Sequence, residues 1–203
     1  MSKVERILLY VGLAAATFLI FRVTSDYRTL ADTHTELRQR LQWPHAGYSV
    51  PTFTGETIDG GSITLGERED GRQFVFFFST TCEFCLASLP AWKQITETSR
   101  THEDLEVVAV AVDRDGAIRQ YRDRHGLTFP ITTFPSDKLA RLYRAGNVPL
   151  IALLNSSGRV LYSRVGVLDE GAALDSVLTA LRELPVAEDP IADPSSGPTA
   201  ASG

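Results

Sequence analysis

The sequence predicts an α/β domain: a central mixed β-sheet flanked by helices, with a β-hairpin added on its N-terminal side. Three observations predict it. Continuous apolar runs at Phe74–Phe78, Leu105–Asp113 and Val148–Asn155 read as strands buried on both faces. Helix-length segments with one apolar face lie between and after them. Asp59-Gly60-Gly61 is a hairpin turn signal between two short extended segments.

The elements follow in chain order. "MSKVERILLYVGLAAATFLIFR" carries Lys3 and Arg6, then fifteen uncharged residues from Ile7 to Phe21, then Arg22. A full span wants about 20 apolar residues. Val4, Val23 and snorkelling by Arg6 and Arg22 extend this one. The expected reading of residues 1–25 is an uncleaved membrane anchor. A signal peptide cut near Val23–Ser25 and a buried core helix are the alternatives. Lys3 and Arg6 nearly balance Arg22 and Arg28, and the α-amine tips the N-terminus inward. The expected localisation is a single pass through the inner membrane, with the rest of the chain periplasmic or otherwise outside the cytoplasm.

Residues 26–43 space Leu30, Leu37 and Leu41 at near-helical intervals among charges, as in a polar helical stalk ended by Trp43-Pro44. The folded domain is expected over 44–184. Short strands at Phe53–Ile58 and Ser62–Leu65 flank the hairpin turn. After the Phe74–Phe78 strand, Cys85, Leu89, Trp92 and Thr96 share one helical face, and Pro90 should kink that helix. Following Leu105–Asp113, Asp115 can cap a helix carrying Ile118 and Tyr121 and ending at Gly126. "FPITTFP" is a short extended piece. Ser136 or Asp137 caps a brief helix with Leu139, Leu142 and Tyr143. Val148–Asn155 is the third buried strand, Asn155–Gly158 a turn, and "RVLYSRVGV" pairs back as an antiparallel hairpin. Helix-length crossovers make the centre of the sheet parallel. Leu168–Leu181 is the last helix. Residues 185–203 are rich in Pro, Ala, Ser, Asp and Gly and should be disordered.

The 203 residues carry 43% apolar residues and a net charge of −5, with no basic stripe or Gly-rich phosphate loop. Nucleic-acid binding is therefore not expected. A monomer is the default state.

The chain holds two cysteines, Cys82 and Cys85. A bridge across so short a loop removes little unfolded-state entropy, so its value lies in being made and broken. The helix reading places Cys82 at a helix N-terminus, where unpaired N–H groups and the helix dipole favour a thiolate. Cys85, one turn in and facing inward, is placed to resolve a mixed disulfide. Two other readings stand beside this one. A structural zinc site needs four ligands, and His34, His45, His102 and His125 form no paired set. Inert buried cysteines are the other. A CxxC after a strand and opening a helix points to redox chemistry. His125 reads as a helix-end surface residue without a catalytic part, Arg119, Arg122 and Arg124 as a solvated face, and Trp92 and Tyr143 as core.

Three stretches together resemble a known family: "VPTFTGETIDGGSITL", "CEFC" with Pro90 behind it, and "VPLIALLNSSGRV". They resemble the thioredoxin-like fold and, more narrowly, the membrane-anchored TlpA-like or ResA-like thiol–disulfide oxidoreductases of the AhpC/TSA–redoxin superfamily. The resemblance covers about Gly47 to Leu181. It implies that Cys82 is the nucleophile, Cys85 the resolving thiol, and Val148–Pro149 the family's cis-proline bond. Val148 and Pro149, with Thr81, Glu83 and Phe84, would then contact substrate. The sequence departs from the family at three places. Thr81 stands where Trp is usual, Ser88 where an acid is frequent, and Phe84 where Pro often precedes the second cysteine. Glu83 should oppose a thiolate by like charge, screened where exposed.

The function the resemblance implies is disulfide exchange with protein thiols and disulfides outside the cytoplasm, as a reductant, with antioxidant activity. Cytochrome c maturation is one setting. No metal and no cofactor beyond a redox-active Cys82–Cys85 disulfide is expected. The alternatives are a peroxiredoxin-like thiol peroxidase, with Ser79 in the hydroxyl position, and a copper(I) carrier using both thiolates and a histidine.

Overall fold

Side chains alternate across a strand, and β3 (Arg72–Phe78) is buried along its whole length. Phe74, Phe76 and Phe78 enter one core, while Val75 and Phe77 enter another on the opposite face. One strand thereby anchors both layers. The structure is a computed structural model and describes residues 12–13, 15–25, 42–113 and 117–183.

The chain divides into two compact units, Met1–Gln42 and Trp43–Gly203. In the first, residues 15–25 are helical and expose Phe18, Leu19, Ile20, Phe21 and Val23. No helix among the described residues is long and apolar enough to cross a membrane. The basic start of the expected anchor, nearly all of the expected stalk, the Asp115 cap and the 185–203 tail lie outside the described residues.

In the second unit β1 (Phe53–Glu56) and β2 (Ser62–Leu65) form the expected antiparallel hairpin. β1 ends two residues before the expected Ile58, because Thr57 turns into the Asp59-Gly60 corner, where Gly60 has a φ of 84°. Five further strands run in the order β5-β4-β3-β6-β7, with β4 at Leu105–Ala111, β5 at Ile131–Thr133, β6 at Leu150–Leu154 and β7 at Val160–Val165. The pairs β3–β4 and β4–β5 are parallel. β6 is antiparallel to β3, and β7 to β6. The parallel centre therefore extends to one side of β3 only. An unbroken apolar run reports burial on both faces and not strand direction, so β6 looked like its parallel neighbours. The "FPITTFP" piece supplies β5, a paired edge strand.

Four helices accompany the sheet: α1 (Glu83–Ser99), α2 (Ala117–His125), α3 (Asp137–Leu142) and α4 (Ala172–Glu183). α1 is a single helix with Pro90 inside it. Ser136 is the cap of α3, its hydroxyl accepting from the Leu139 N–H at 3.3 Å. α4 starts later than Leu168, which is buried in the preceding loop.

The core facing α1, α2 and α4 stacks Phe76 on Trp92, with ring centroids 4.8 Å apart. The opposite core is closed by the hairpin, through Phe53, Ile63 and Leu65, together with Phe134 and Tyr143. Two glycines let the hairpin seat there. A Cβ on Gly66 would lie 2.9 Å from the Pro51 carbonyl oxygen, and one on Gly158 would overlap the Gly66 carbonyl oxygen. Backbone bonds from Gly47 to Val160 (2.8 Å) and from Val50 to Gly158 (2.9 Å) complete the join.

β3 begins two residues before its apolar run. Buried Arg72 donates to Asp104 Oδ2 through Nε (2.9 Å) and Nη2 (2.6 Å), and to the Leu181 carbonyl through Nη1 (2.8 Å). Gln73 donates to the Thr64 carbonyl (2.7 Å) and Glu106 (2.8 Å) and accepts from the Gly66 N–H (3.1 Å). Both polar side chains are satisfied inside the sheet, as burial requires.

Phe76 sits where β3, α1 and Phe129 meet. Truncation to Ala leaves a cavity and is expected to cost about 3–5 kcal/mol. Urea unfolding of Phe76→Ala, read as a lower midpoint at unchanged slope, checks this.

Candidate active site

The end of β3 delivers Ser79-Thr80-Thr81 and then α1. Cys82 is the N-cap of α1, with φ −86° and ψ 111°. Its sulfur accepts from the Cys85 N–H at 3.2 Å, as a capping oxygen would. The Cys82 thiol lies 3.7 Å from the Val148 carbonyl oxygen, to which it donates, and the Val148–Pro149 bond is cis. Both cysteines are free thiols; Cys82 is half-buried, while Cys85 is 0% exposed.

The loop ahead of Cys82 is held from the segment that follows β4. Asp113 Oδ2 accepts from the Thr80 N–H and, at 2.8 Å, from the Thr80 hydroxyl. The Ser79 and Thr81 hydroxyls are bonded at 2.9 Å. Ser88, in the place where the family often has an acid, is fully buried. Its hydroxyl donates to the Phe84 carbonyl (2.9 Å) and accepts from the Leu168 N–H (3.0 Å), tying α1 to the loop before α4. The sequence shows no sign of that second bond, which joins residues 80 positions apart.

The environments of the two sulfurs differ. Burial pushes the Cys85 thiol well above its ordinary value, and its interaction with Cys82 and the negative charge of Asp113 add to this. The Ser79 backbone N–H opposes the shift. Cys82 opens onto a cleft of about 220 Å³ whose walls include Thr80, Thr81, Glu83, Leu86, Tyr121, Arg124 and His125. Burial also raises the Tyr121 hydroxyl, up to about 12, with contributions from Cys85 and then Cys82.

The expected site residues thus fall into two groups around Cys82. Thr81, Glu83 and Phe84 are exposed beside it, Phe84 at 65%, and Leu86 adds apolar surface at 47%. Val148 and Pro149 meet it through the cis bond and the Val148 carbonyl. Sequence reasoning missed the α2 wall. The sequence pattern places Tyr121 only on a helix face, Arg124 on a solvated face, and His125 at a surface end. The structure brings all three to the cleft. Their i, i+3, i+4 spacing was the available signal. Among the described residues, no group of three His, Cys, Asp or Glu side chains is placed to hold a metal ion.

The chain matches the AhpC/TSA family over residues 46–164. The thiol–disulfide oxidoreductase ResA of Halalkalibacterium halodurans is 27% identical over 126 residues, covering 62% of this chain and 71% of that protein. ResA of Bacillus subtilis is 25% identical over 130 residues, covering 64% and 72%. The crystal structure of StoA from Bacillus subtilis superposes with a TM-score of 0.56 at 20% identity, covering 66% of this chain and 98% of that one. A thiol-disulfide oxidoreductase from Bacteroides fragilis gives 0.55 at 18%, with coverage of 66% and 98%. These two structures establish the thioredoxin-like fold. The chain belongs to the AhpC/TSA family and is ResA-like within it, an enzyme of the thiol–disulfide oxidoreductase class.

Two expectations follow from the asymmetry of the sulfurs. Iodoacetamide should label Cys82 at least about tenfold faster than Cys85, because only Cys82 is accessible; peptide mapping after partial alkylation reads this. The folded reduced chain holds the Cys85 proton more tightly than the unfolded chain does. Its contribution to stability is therefore complete below the ordinary thiol value of 9.0, begins to be lost as pH rises past that value, and goes on falling toward the raised value of the folded state. Urea midpoints of the reduced protein should fall between about pH 8 and about pH 10, and Cys85→Ala should flatten that fall.

Proposed function

We propose that the chain reduces disulfides of protein substrates outside the cytoplasm, with Cys82 as nucleophile and Cys85 as resolving thiol. The observation that carries this reading is the Cys82 sulfur itself. It is accessible, caps a helix, accepts the Cys85 N–H at 3.2 Å and stands above a fully buried second thiol. A negative charge on that sulfur meets an N–H donor and the positive end of the α1 dipole.

The chemistry then runs in two displacements. The Cys82 thiolate attacks one sulfur of a substrate disulfide, and the substrate S–S bond breaks. The other substrate sulfur leaves as a thiolate and takes up a proton. Cys85, having lost its proton, attacks the Cys82 sulfur and expels the second substrate thiol. Two electrons pass from the cysteine pair to the substrate, leaving a Cys82–Cys85 disulfide. A dithiol donor must reduce that disulfide for the next cycle.

Thr81, Glu83, Phe84, Val148 and Pro149 form the substrate contacts in this reading. The exposed Phe84 and Leu86 offer apolar surface beside the reacting sulfur. The Val148 carbonyl, next to the cis bond, is open to an extended substrate backbone once the Cys82 thiol releases it. Residues 1–25 hold the chain in the inner membrane with residues 44–184 outside, and 26–43 serve as the spacer. This part of the proposal rests on the apolar run from Ile7 to Phe21 and its basic flanks. Disulfides of apocytochrome c are one substrate class that such a reductant would serve.

The first test is the reduction potential of the pair, by thiol trapping of the purified protein in dithiothreitol and glutathione buffers. A two-electron couple near thioredoxin's roughly −270 mV, or lower, is expected. A couple near the roughly −120 mV of a strong oxidant would reverse the direction. Failure to form any intramolecular disulfide would remove the reading. Peroxide consumption that needs Cys82, without mixed disulfides to protein thiols, would replace it with a thiol peroxidase.

A further inference from the structure

The cleft onto which Cys82 opens has two unlike sides. Glu83 and Leu86 line it from the start of α1, and Tyr121, Arg124 and His125 line it from the last turns of α2. Its volume of about 220 Å³ is below the roughly 300–1,000 Å³ of a cofactor or small-molecule pocket. A space of that size beside the reacting sulfur takes one substrate side chain.

Positive charge gathers on the α2 side. Helix C-termini favour cations, and the last turn of α2 holds Arg122, Arg124 and His125. The pairing of the two arginines differs. Arg122 is neutralised by Asp59 and by Asp123, the latter at 2.8 Å. Among the described residues Arg124 has no hydrogen-bond or ion-pair partner, and it lines the cleft. His125 is half-buried, and its ring rests on that of Tyr121 with centroids 4.5 Å apart, which holds its direction. An imidazole presents an N–H donor in either charge state. A guanidinium with its charge unpaired, beside an oriented imidazole, suits a carboxylate. The Tyr121 ring and Leu86, which is 47% exposed, offer apolar surface to the methylenes that carry it. The exposed Glu83 keeps a carboxylate off the α1 side by like charge.

We propose that Arg124, with His125, selects protein disulfides that carry Asp or Glu next to the cysteine attacked by Cys82. Arg124 is then a specificity-determining residue of the exchange reaction, acting on the substrate and not on the sulfur. The inference rests on the reading of Cys82 as nucleophile given above.

The test uses the full-length reduced protein and three short peptides that differ only in the residue after their single cysteine, which is Asp, Asn or Lys. Each peptide cysteine is joined to 2-thiopyridine as a mixed disulfide. The Cys82 thiolate attacks the peptide sulfur and breaks that S–S bond. Pyridine-2-thiolate leaves, takes up a proton and is read by absorbance as the thione. Cys85 then attacks Cys82 and expels the peptide thiol, so that two electrons pass from the cysteine pair. Each rate of thione release is divided by the rate of dithiothreitol with the same peptide. That division removes the intrinsic effect of the neighbouring charge on the disulfide.

So normalised, the Asp peptide should react about fivefold faster than the Asn peptide at low ionic strength, the upper scale for an exposed ion pair. Salt should bring the ratio toward one, as should Arg124→Gln. In Arg124→Glu the Lys peptide should lead and the Asp peptide trail, an inversion that a merely structural part for Arg124 would not produce. A ratio of one in the unsubstituted protein would overturn the assignment. So would a ratio that neither Arg124 variant moves, because Arg124 would then act alike on every substrate or on none. If the unsubstituted protein releases no thione from any peptide, the Cys82 reading itself falls and takes this inference with it.

Discussion

The constraint on which the rest of the molecule depends is the burial of β3 on both faces. A strand with Phe on one side and Val and Phe on the other cannot be covered by a single layer. It needs the α1, α2 and α4 layer over Phe74, Phe76 and Phe78, and the hairpin with Tyr143 over Val75 and Phe77. The same strand ends at the residue before the Ser79–Thr81 loop. Whatever fixes β3 in the sheet therefore also fixes where Cys82 emerges. Arg72 and Gln73 hold the far end of the strand with satisfied polar bonds, so its register is locked at one end by ion pairing and at the other by aromatic packing.

The site illustrates how one short motif obtains two unlike thiols. Cys82 and Cys85 differ by a single helical turn, yet one caps the helix in partial contact with solvent and the other is enclosed. Burial holds the Cys85 proton well above the ordinary thiol range, while Cys82 stands at the mouth of the cleft. Asp113 acts twice in this arrangement. Its carboxylate fixes Thr80, and thereby the approach to Cys82, while its charge raises the cost of ionising Cys85. Ser88, where relatives often carry an acid, adds no charge and serves as a tie between α1 and Leu168.

The parts legible in the sequence were those governed by local pattern. The apolar runs marked β3, β4 and β6, the Asp59-Gly60 corner marked the hairpin, and the Ser136-Asp137 pair marked the start of α3, without deciding which of the two is the cap. Cys82 at a helix start and Cys85 on its inner face were readable from spacing alone. The parts that were not legible depend on pairing at long range. The direction of β6 is set by which edge of β3 remains open. Arg72 and Gln73 look like loop residues until Asp104, Leu181, Thr64 and Glu106 arrive as partners from elsewhere in the chain. The α2 wall of the cleft escaped for the same reason: Tyr121 and His125 have a helical spacing that signals a shared face, but only the tertiary fold places that face beside the cysteines.

The join made by Gly66 and Gly158 has a consequence for the way the chain is made. The first residues of the domain bond to residues near its last strand, with Arg159 donating to the Gly47 carbonyl across 112 positions at 3.3 Å. A nascent chain emerges N-terminus first, and contacts so distant in sequence form slowly. The hairpin can turn on itself early, but its apolar face has no complete seat until β6 and β7 have left the ribosome. For most of its synthesis the chain therefore presents Phe53, Ile63 and Leu65 uncovered, and the second core closes among the last acts of folding.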